Sequence, residues 1–351
     1  MGAAELARAR ELLAGYRGRR LRLMEVCGTH THEIFRLGVR KLLSEDIQLI
    51  SGPGCPVCVT PIAFIDEAVW LATEKGVTVT TFGDLVRVPG TKENLGQARS
   101  RGAKVEVVYT PLDAVDYAAA HPEEEVVFLS VGFETTTPAS ALAVQKAQAA
   151  GLKNFSLLTA LKTMNAAYEA LAGSVDAYIY PGHVCAIAGT GREEALARRG
   201  VSGVVAGFTA AELVTALAVA VSRLSRGEEG FFVNCYPRVV RAEGSRAAMA
   251  LVDKYFAECD TEWRGLGVIA GSGLELRESV AEFDARRRFA VPEMLGRPNP
   301  ACRCGDILQG KCLPTECPVF GRVCTPEHPL GACMVSSEGS CAAYYQYGGD
   351  F

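Results

Sequence analysis

The sequence predicts two similar doubly wound α/β parallel-sheet domains facing a central crevice, with a smaller α+β, partly irregular domain attached. Three observations predict it. From residue 21 onward short apolar runs alternate with helical patterns, the rhythm of βαβ units whose parallel strands are buried on both faces. Near Asp113 the rhythm restarts. Beyond Pro292, proline, glycine and cysteine dominate and regular periodicity ends.

The elements follow in order. Residues 1–20 (MGAAELARARELLAGYRGRR) read as an amphipathic Ala/Leu/Arg helix. Strand-like runs occupy 21–26, 47–50, 77–81 and 105–109, with helical stretches at 62–75 and 94–101, each followed by glycine. The second set places strands at 126–131, 156–161, 177–180 and 203–206 and helices at 138–149, 164–171 and 210–224. Its turns echo the first set: VCGTHTHE is matched by VGFETTTP, GPGCPVC by YPGHVC, and TTFGDL by AGFTAAEL. This reads as a degenerate duplication. Residues 233–240, 246–256 and 267–269 look like a smaller mixed unit. The expected domains are therefore 21–118, 119–226, and 227–351 together with the N-terminal helix 1–20. No low-complexity linker separates them, so they are expected to pack together.

A chain of 351 residues with 49% hydrophobic and 22% charged residues has ample side chain to bury. A formal net charge of −4 offers no basic field for nucleic acid or an anionic membrane. Residues 1–20 lack the continuous apolar core of a signal peptide, and the apolar helix at 210–224 is short and carries Glu212 and Arg223. A cytoplasmic protein is expected, without nucleic-acid or membrane partners and monomeric on its own. Of 13 cysteines, seven lie between Cys302 and Cys341. In a reducing compartment that clustering suggests metal or cluster binding rather than disulfides.

The stretch 24–61 concentrates the chemistry. If the runs at 21–26 and 47–50 are neighbouring parallel strands, the turns bearing Cys27, His30, His32 and Cys55, Cys58 lie side by side at the carboxyl edge, where open α/β sheets bind ligands. Cys27, followed by glycine and then His30, reads as an accessible thiolate assisted by imidazole; the bland reading is a small buried hydrophobe. Cys55-Pro56-Val57-Cys58 has the spacing of a redox dithiol, of half a metal site, or of two inert thiols, and its Gly-Pro-Gly turn argues for exposure at a crevice. In GFETTTP, threonine and Pro138 mark a helix start, and free amides near Thr135 and Thr136 can take a small anion. Glu134 is a candidate proton carrier. His183, in PGHVC, faces the crevice or is structural. The cysteine-rich tail fits an iron–sulfur cluster or a structural zinc site, though it lacks the paired C-x2-C knuckles of zinc ribbons. No G-x4-G-K-[ST] nucleotide loop occurs.

CGTHTHEIFRLG followed by SGPGCPVC, with GFETTTP and the cysteine-rich tail, closely resembles the HypD family of [NiFe]-hydrogenase maturation factors. The tail spacing C-x14-C-x6-C-x16-C over Cys302, Cys317, Cys324 and Cys341 resembles that family's cluster-binding pattern. The resemblance implies a [4Fe–4S] cluster on those four thiols, making the third domain an iron–sulfur domain. It leaves Cys304, Cys312 and Cys333 spare, with Cys304 competing with Cys302. It implies Cys27 as the ligand of the iron destined to become Fe(CN)2CO, with His30 its neighbour. It also implies a redox role for Cys55 and Cys58, in a layout like that of ferredoxin-dependent thioredoxin reductases. The expected partners are a HypC-type small chaperone and a HypE-type cyanide donor. The rival is an iron–sulfur thiol–disulfide reductase, which needs Cys55 and Cys58 but neither Cys27 nor His30; a zinc-stabilised scaffold is a third reading. No stand-alone turnover is implied.

Overall fold

The computed structural model describes residues 2–348. The apolar runs become strands: β1 (Leu21–Glu25), β2 (Ile47–Ser51), β3 (Thr78–Thr81), β4 (Val105–Val107), β5 (Val126–Gly132), β6 (Phe155–Lys162), β7 (Ala177–Pro181), β8 (Gly203–Ala206), β9 (Phe232–Asn234), β10 (Phe256–Trp263) and β11 (Gly267–Leu276). They build two sheets. The first, ordered β2-β1-β7-β8-β9, is parallel throughout. The second, β4-β3-β5-β6-β11-β10, has four parallel strands and then the antiparallel hairpin β10–β11. The α/β class holds.

The two sheets interleave along the chain, which corrects the division at 118/119. After β2 the chain leaves a half-built first sheet, makes β3 to β6 of the second, returns for β7 to β9, then crosses again for β10 and β11. Local periodicity reports that a segment is a strand; long-range side-chain packing decides which strand it joins. The unit expected at 227–351 is likewise dispersed. β9 extends the first sheet and the β10–β11 hairpin the second. The N-terminal helix Ala3–Gly15 packs on the helix Ala210–Ser225 beneath the first sheet, with Leu13 fully buried there, rather than on the tail.

A duplication is visible in the topology, but with other partners than the turn sequences suggested. Counted in order of entry, each sheet runs 2-1-3-4 before β9 in the first and before the β10–β11 hairpin in the second, the doubly wound order in which β1 corresponds to β3, β2 to β4, β7 to β5 and β8 to β6. GFETTTP after β5 is thus equivalent to PGHVC after β7, not to CGTH after β1. Gly, Thr and Pro recur at any strand-to-helix turn, so their likeness did not fix the register.

Side chains alternate between faces. In the first sheet Leu21, Leu23, Ala177, Ile179, Val204 and Ala206 point to the Ala210–Ser225 side. Met24, Val26, Ile50, Tyr178, Tyr180 and Val205 point into a second core shared with the tail residues Ile307, Leu308 and Met334. The tail therefore covers one face of the first sheet and has no core of its own. Among the described residues, no helix is long and apolar enough to cross a membrane.

Candidate functional site

β1 and β2 are adjacent and parallel, so their turns meet at the carboxyl edge. Gly28 N–H donates to Gly54 O (2.9 Å). A Cβ on Gly54 would run into the Cys27 backbone, so glycine is required by close approach. Cys27, extended (φ −150°, ψ 123°), precedes the helix Gly28–Arg36. Its sulfur receives the backbone N–H groups of His30 and Thr29, yet burial pushes the thiol up to about 12. Cys27 is 8% exposed and is not the accessible thiolate expected. The His30 ring lies elsewhere: Nε2 is 3.0 Å from Gly207 O, and the ring stands 4.6 Å from Phe208. Burial lowers it to about 4, so it is a neutral imidazole whose Nε2–H donates to the carbonyl, while Nδ1 is buried without a partner. His183, after β7, also stacks on Phe208 (3.7 Å, 18°). His32 meets Tyr347 edge-on.

Two carboxylates at Cys27 escaped the sequence reading. Fully buried Glu25 ends β1, accepts from Cys27 N–H (3.3 Å) and Thr31 Oγ1 (2.6 Å), and is raised to about 7 by burial. Glu338 reaches in from the tail, accepts from Thr29 Oγ1 (2.8 Å), and fills the space that a side chain at Gly28 would need. Single acidic residues leave no motif; only the apolar setting of Glu25 in a strand hinted at burial.

Cys55 caps the helix Pro56–Val59, its sulfur accepting Cys58 N–H at 3.2 Å. The pair is buried, 3% and 0% exposed, not open to a crevice as the glycines suggested. Burial, together with thiol hydrogen bonds to Cys333 and Cys55, raises the Cys58 thiol. The helix packs against β5 and against the tail segment Ala332–Met334.

In the tail, Cys302, Cys317, Cys324 and Cys341 line one cavity with Ile307, Val319, Phe320 and Met334. Cys304 and Cys333, expected to be spare, line it too, with their sulfurs 2.7 Å apart. Cys333 also hydrogen-bonds Cys341 and Cys58, and Cys304 hydrogen-bonds Cys302. A continuous run of sulfur contacts thus leads from Cys55 and Cys58 into the tail cavity. The thiols border this space rather than a point: among the described residues no three His, Cys, Asp or Glu side chains are grouped to hold a single metal ion. Cys312 lies aside, on a separate surface pocket.

Glu134 is buried at the end of β5, where Oε1 accepts Met164 N–H (2.9 Å) and Oε2 has no partner. Its charged neighbours are in the β7 half of the first sheet. Glu193 is raised to about 7 by burial, with Glu134 adding to the rise, and Glu193 hydrogen-bonds the Cys185 thiol. The turn after β5 thus meets the helix Gly182–Ala188 and the helix Gly191–Arg198 across the sheets. Thr136 precedes the helix Thr137–Ala149, and Thr135 is exposed.

Residues 4–348 match the family model described as "Hydrogenase formation hypA family", HypD. The chain is 45% identical over 342 residues to the hydrogenase maturation factor HypD of Azotobacter vinelandii, covering 94% of this chain and 90% of the relative. It is 43% identical over 361 residues to that of Rhodobacter capsulatus, covering 99% and 94%. To the Escherichia coli K12 protein it is 42% identical over 337 residues, covering 94% and 90%. With the cysteine turns, the GFETTTP turn and the tail all inside the matched span, the chain belongs to the HypD family of hydrogenase maturation factors.

Proposed function

We propose that this chain is the cytoplasmic scaffold and redox component on which the Fe(CN)2CO group of a [NiFe]-hydrogenase is assembled, together with a HypC-type small chaperone and a HypE-type cyanide donor. The observation that carries the reading is the run of sulfur contacts from Cys55 and Cys58 through Cys333 into the tail cavity, beginning one turn away from Cys27. The tail fits a [4Fe–4S] cluster: four thiols at the family's spacing border one apolar-lined cavity, and sulfur donors suit iron–sulfur groups. Cys302, Cys317, Cys324 and Cys341 would hold it, and when bound it supplies one-electron chemistry to the thiols beside it.

The chain's own residues divide the remaining work. Cys27 holds the cargo iron. Burial keeps its thiol protonated until a cation arrives, so metal binding expels the proton. Releasing cyanide from a donor thiocyanate takes two electrons: R–S–CN plus two thiols gives R–SH, one disulfide and HCN. Cys55 and Cys58 are placed to form that disulfide. Their burial, with Val26, Phe133 and Trp263 in the same core, keeps water from the exchange. Glu134 and Glu193, both raised by burial, can relay the two thiol protons that end on R–SH and HCN.

The test is infrared spectroscopy of the chain purified with its chaperone, looking for cyanide and carbonyl stretches. Their presence in the wild type and loss in Cys27→Ala supports the reading. Normal hydrogenase maturation with Cys27→Ala would sink it and leave the thiol–disulfide reductase as the better account.

A further inference from the structure

The β10–β11 hairpin turn lies where the dithiol helix meets the tail. Trp263 ends β10 fully buried, donates Nε1–H to Ser272 Oγ (2.8 Å) and stacks on Phe133 with 5.8 Å between ring centroids. Arg264 comes next. Its backbone N–H donates to Val59 O (2.8 Å) and its Nε–H to Thr60 O (2.7 Å), satisfying carbonyls at the carboxyl end of Pro56–Val59. On the other side, Gly265 (φ +79°) packs so closely on Gly305 that a Cβ would strike its Cα. Gln309 Nε2 also donates to Gly265 O (2.5 Å). The turn is pinned between the helix bearing Cys55 and Cys58 and the helix Cys304–Leu308.

One group in this clamp is left over. Arg264 Nη2 is buried and has no hydrogen-bond partner. Interiors rarely leave a charged donor unmatched, because its lost hydration is not recovered. Arg264 lines a second cavity, whose wall shares Cys302 and Cys304 with the tail cavity. Of the two acids on that second cavity, Asp306 is paired with Arg303 (3.1 Å), and among the described residues neither it nor Glu262 forms an ion pair with Arg264.

We propose that Arg264 tunes the tail's sulfur-bound group: Nη2–H donates to a sulfur of that group, and the guanidinium charge favours its reduced state, while Nε anchors the dithiol helix alongside. The inference rests on the reading of the tail as an iron–sulfur site. One-electron reduction adds one negative charge, and a cation held close by in a low-dielectric interior stabilises it.

The test uses the full chain purified anaerobically, with iron and sulfide assays and a potentiometric titration followed by absorbance and electron paramagnetic resonance. Wild-type protein without iron and sulfide would end the cluster reading and this inference together. Arg264→Gln with wild-type iron and sulfide is expected to lower the reduced-to-oxidised ratio at the wild-type midpoint at least tenfold, about 59 mV for one electron. A fully loaded Gln variant with unchanged potential overturns the inference while leaving the cluster reading intact. Arg264→Lys keeps the charge and loses the Thr60 bond, so it should load and shift less. A Lys variant that fails to load, or that shifts tenfold, shows the clamp rather than the charge to be responsible and overturns the proposal even if the Gln variant does not assemble.

Discussion

The Cys58 and Cys333 thiols are hydrogen-bonded to each other in the core, joining the helix after β2 to the tail. This one contact puts the dithiol and the tail cavity in series. Cys333→Ser should leave iron and sulfide in place, because the four cysteines at the family's spacing remain. It should slow re-reduction of the oxidised Cys55/Cys58 pair by the reduced tail at least tenfold. Trapping free thiols with a labelling reagent at timed intervals checks this; an unchanged rate removes Cys333 from the path.

Cys27 and the dithiol should fail differently. Cys27→Ala should abolish the cyanide and carbonyl bands while leaving tail absorbance and the two-electron thiol titration intact. Cys55→Ala should eliminate the thiol couple and block cyanide loading with Cys27 unchanged. Identical phenotypes in both assays would merge the two roles.

Cys317→Ala or Cys324→Ala should release iron and sulfide and loosen the tail. Both side chains are buried on the apolar cavity that the tail folds around. Chelation of the metal from wild-type protein should produce the same gain in protease sensitivity beyond residue 292. Full retention of the absorbance in both variants would identify other ligands.

Stability should depend on pH through Glu25. Its folded-state value of about 7 lies above the ordinary 4.5, so the native state binds more protons between those limits. Its contribution is complete below about 4.5 and is lost as pH rises through 7, a swing on the order of 3 kcal/mol for an isolated group. His30, lowered from 6.5 to about 4, works in the opposite sense, its contribution growing as pH rises through that window. Because the two contributions oppose each other, Glu25→Gln leaves that of His30 uncompensated and should shift the difference in urea midpoint between pH 5 and pH 8 toward greater stability at pH 8 than in the wild type. Equal pH slopes in the two proteins would show that Glu25 does not titrate there.

Gly54→Ala should cost about 3 kcal/mol or more, since the new Cβ meets the Cys27 backbone and the neighbours that must move are main chain. A thermal melt of the apo-protein measures it without reference to the cargo.

The individual strands were legible in the sequence because buried parallel strands are written as short apolar runs, and 203–206 matches the observed β8 residue for residue. Sheet membership was not. Nothing local to 77–81 says that it pairs with 126–128 instead of 47–51, since that choice is made by side chains distant in sequence. The Cys55/Cys58 pair was readable from its spacing, but Gly54 was misread: it permits the approach of Cys27, and it does not open the turn to solvent. Glu25, Glu338 and the Cys304–Cys333 contact were invisible because a lone carboxylate or thiol has no spacing to recognise until the fold supplies a neighbour.

The interleaved path of the chain bears on how the protein emerges from the ribosome. When β2 has been made, β1 has one partner and a bare edge, which stays unpaired until β7 has been synthesised. The second sheet likewise keeps β6 uncovered until the β10–β11 hairpin arrives. Exposed edges of apolar strands are sites of mispairing between nascent chains. The first sheet cannot be finished before β9 and the second cannot be finished before the hairpin, so vectorial synthesis must hold two partly built sheets at once.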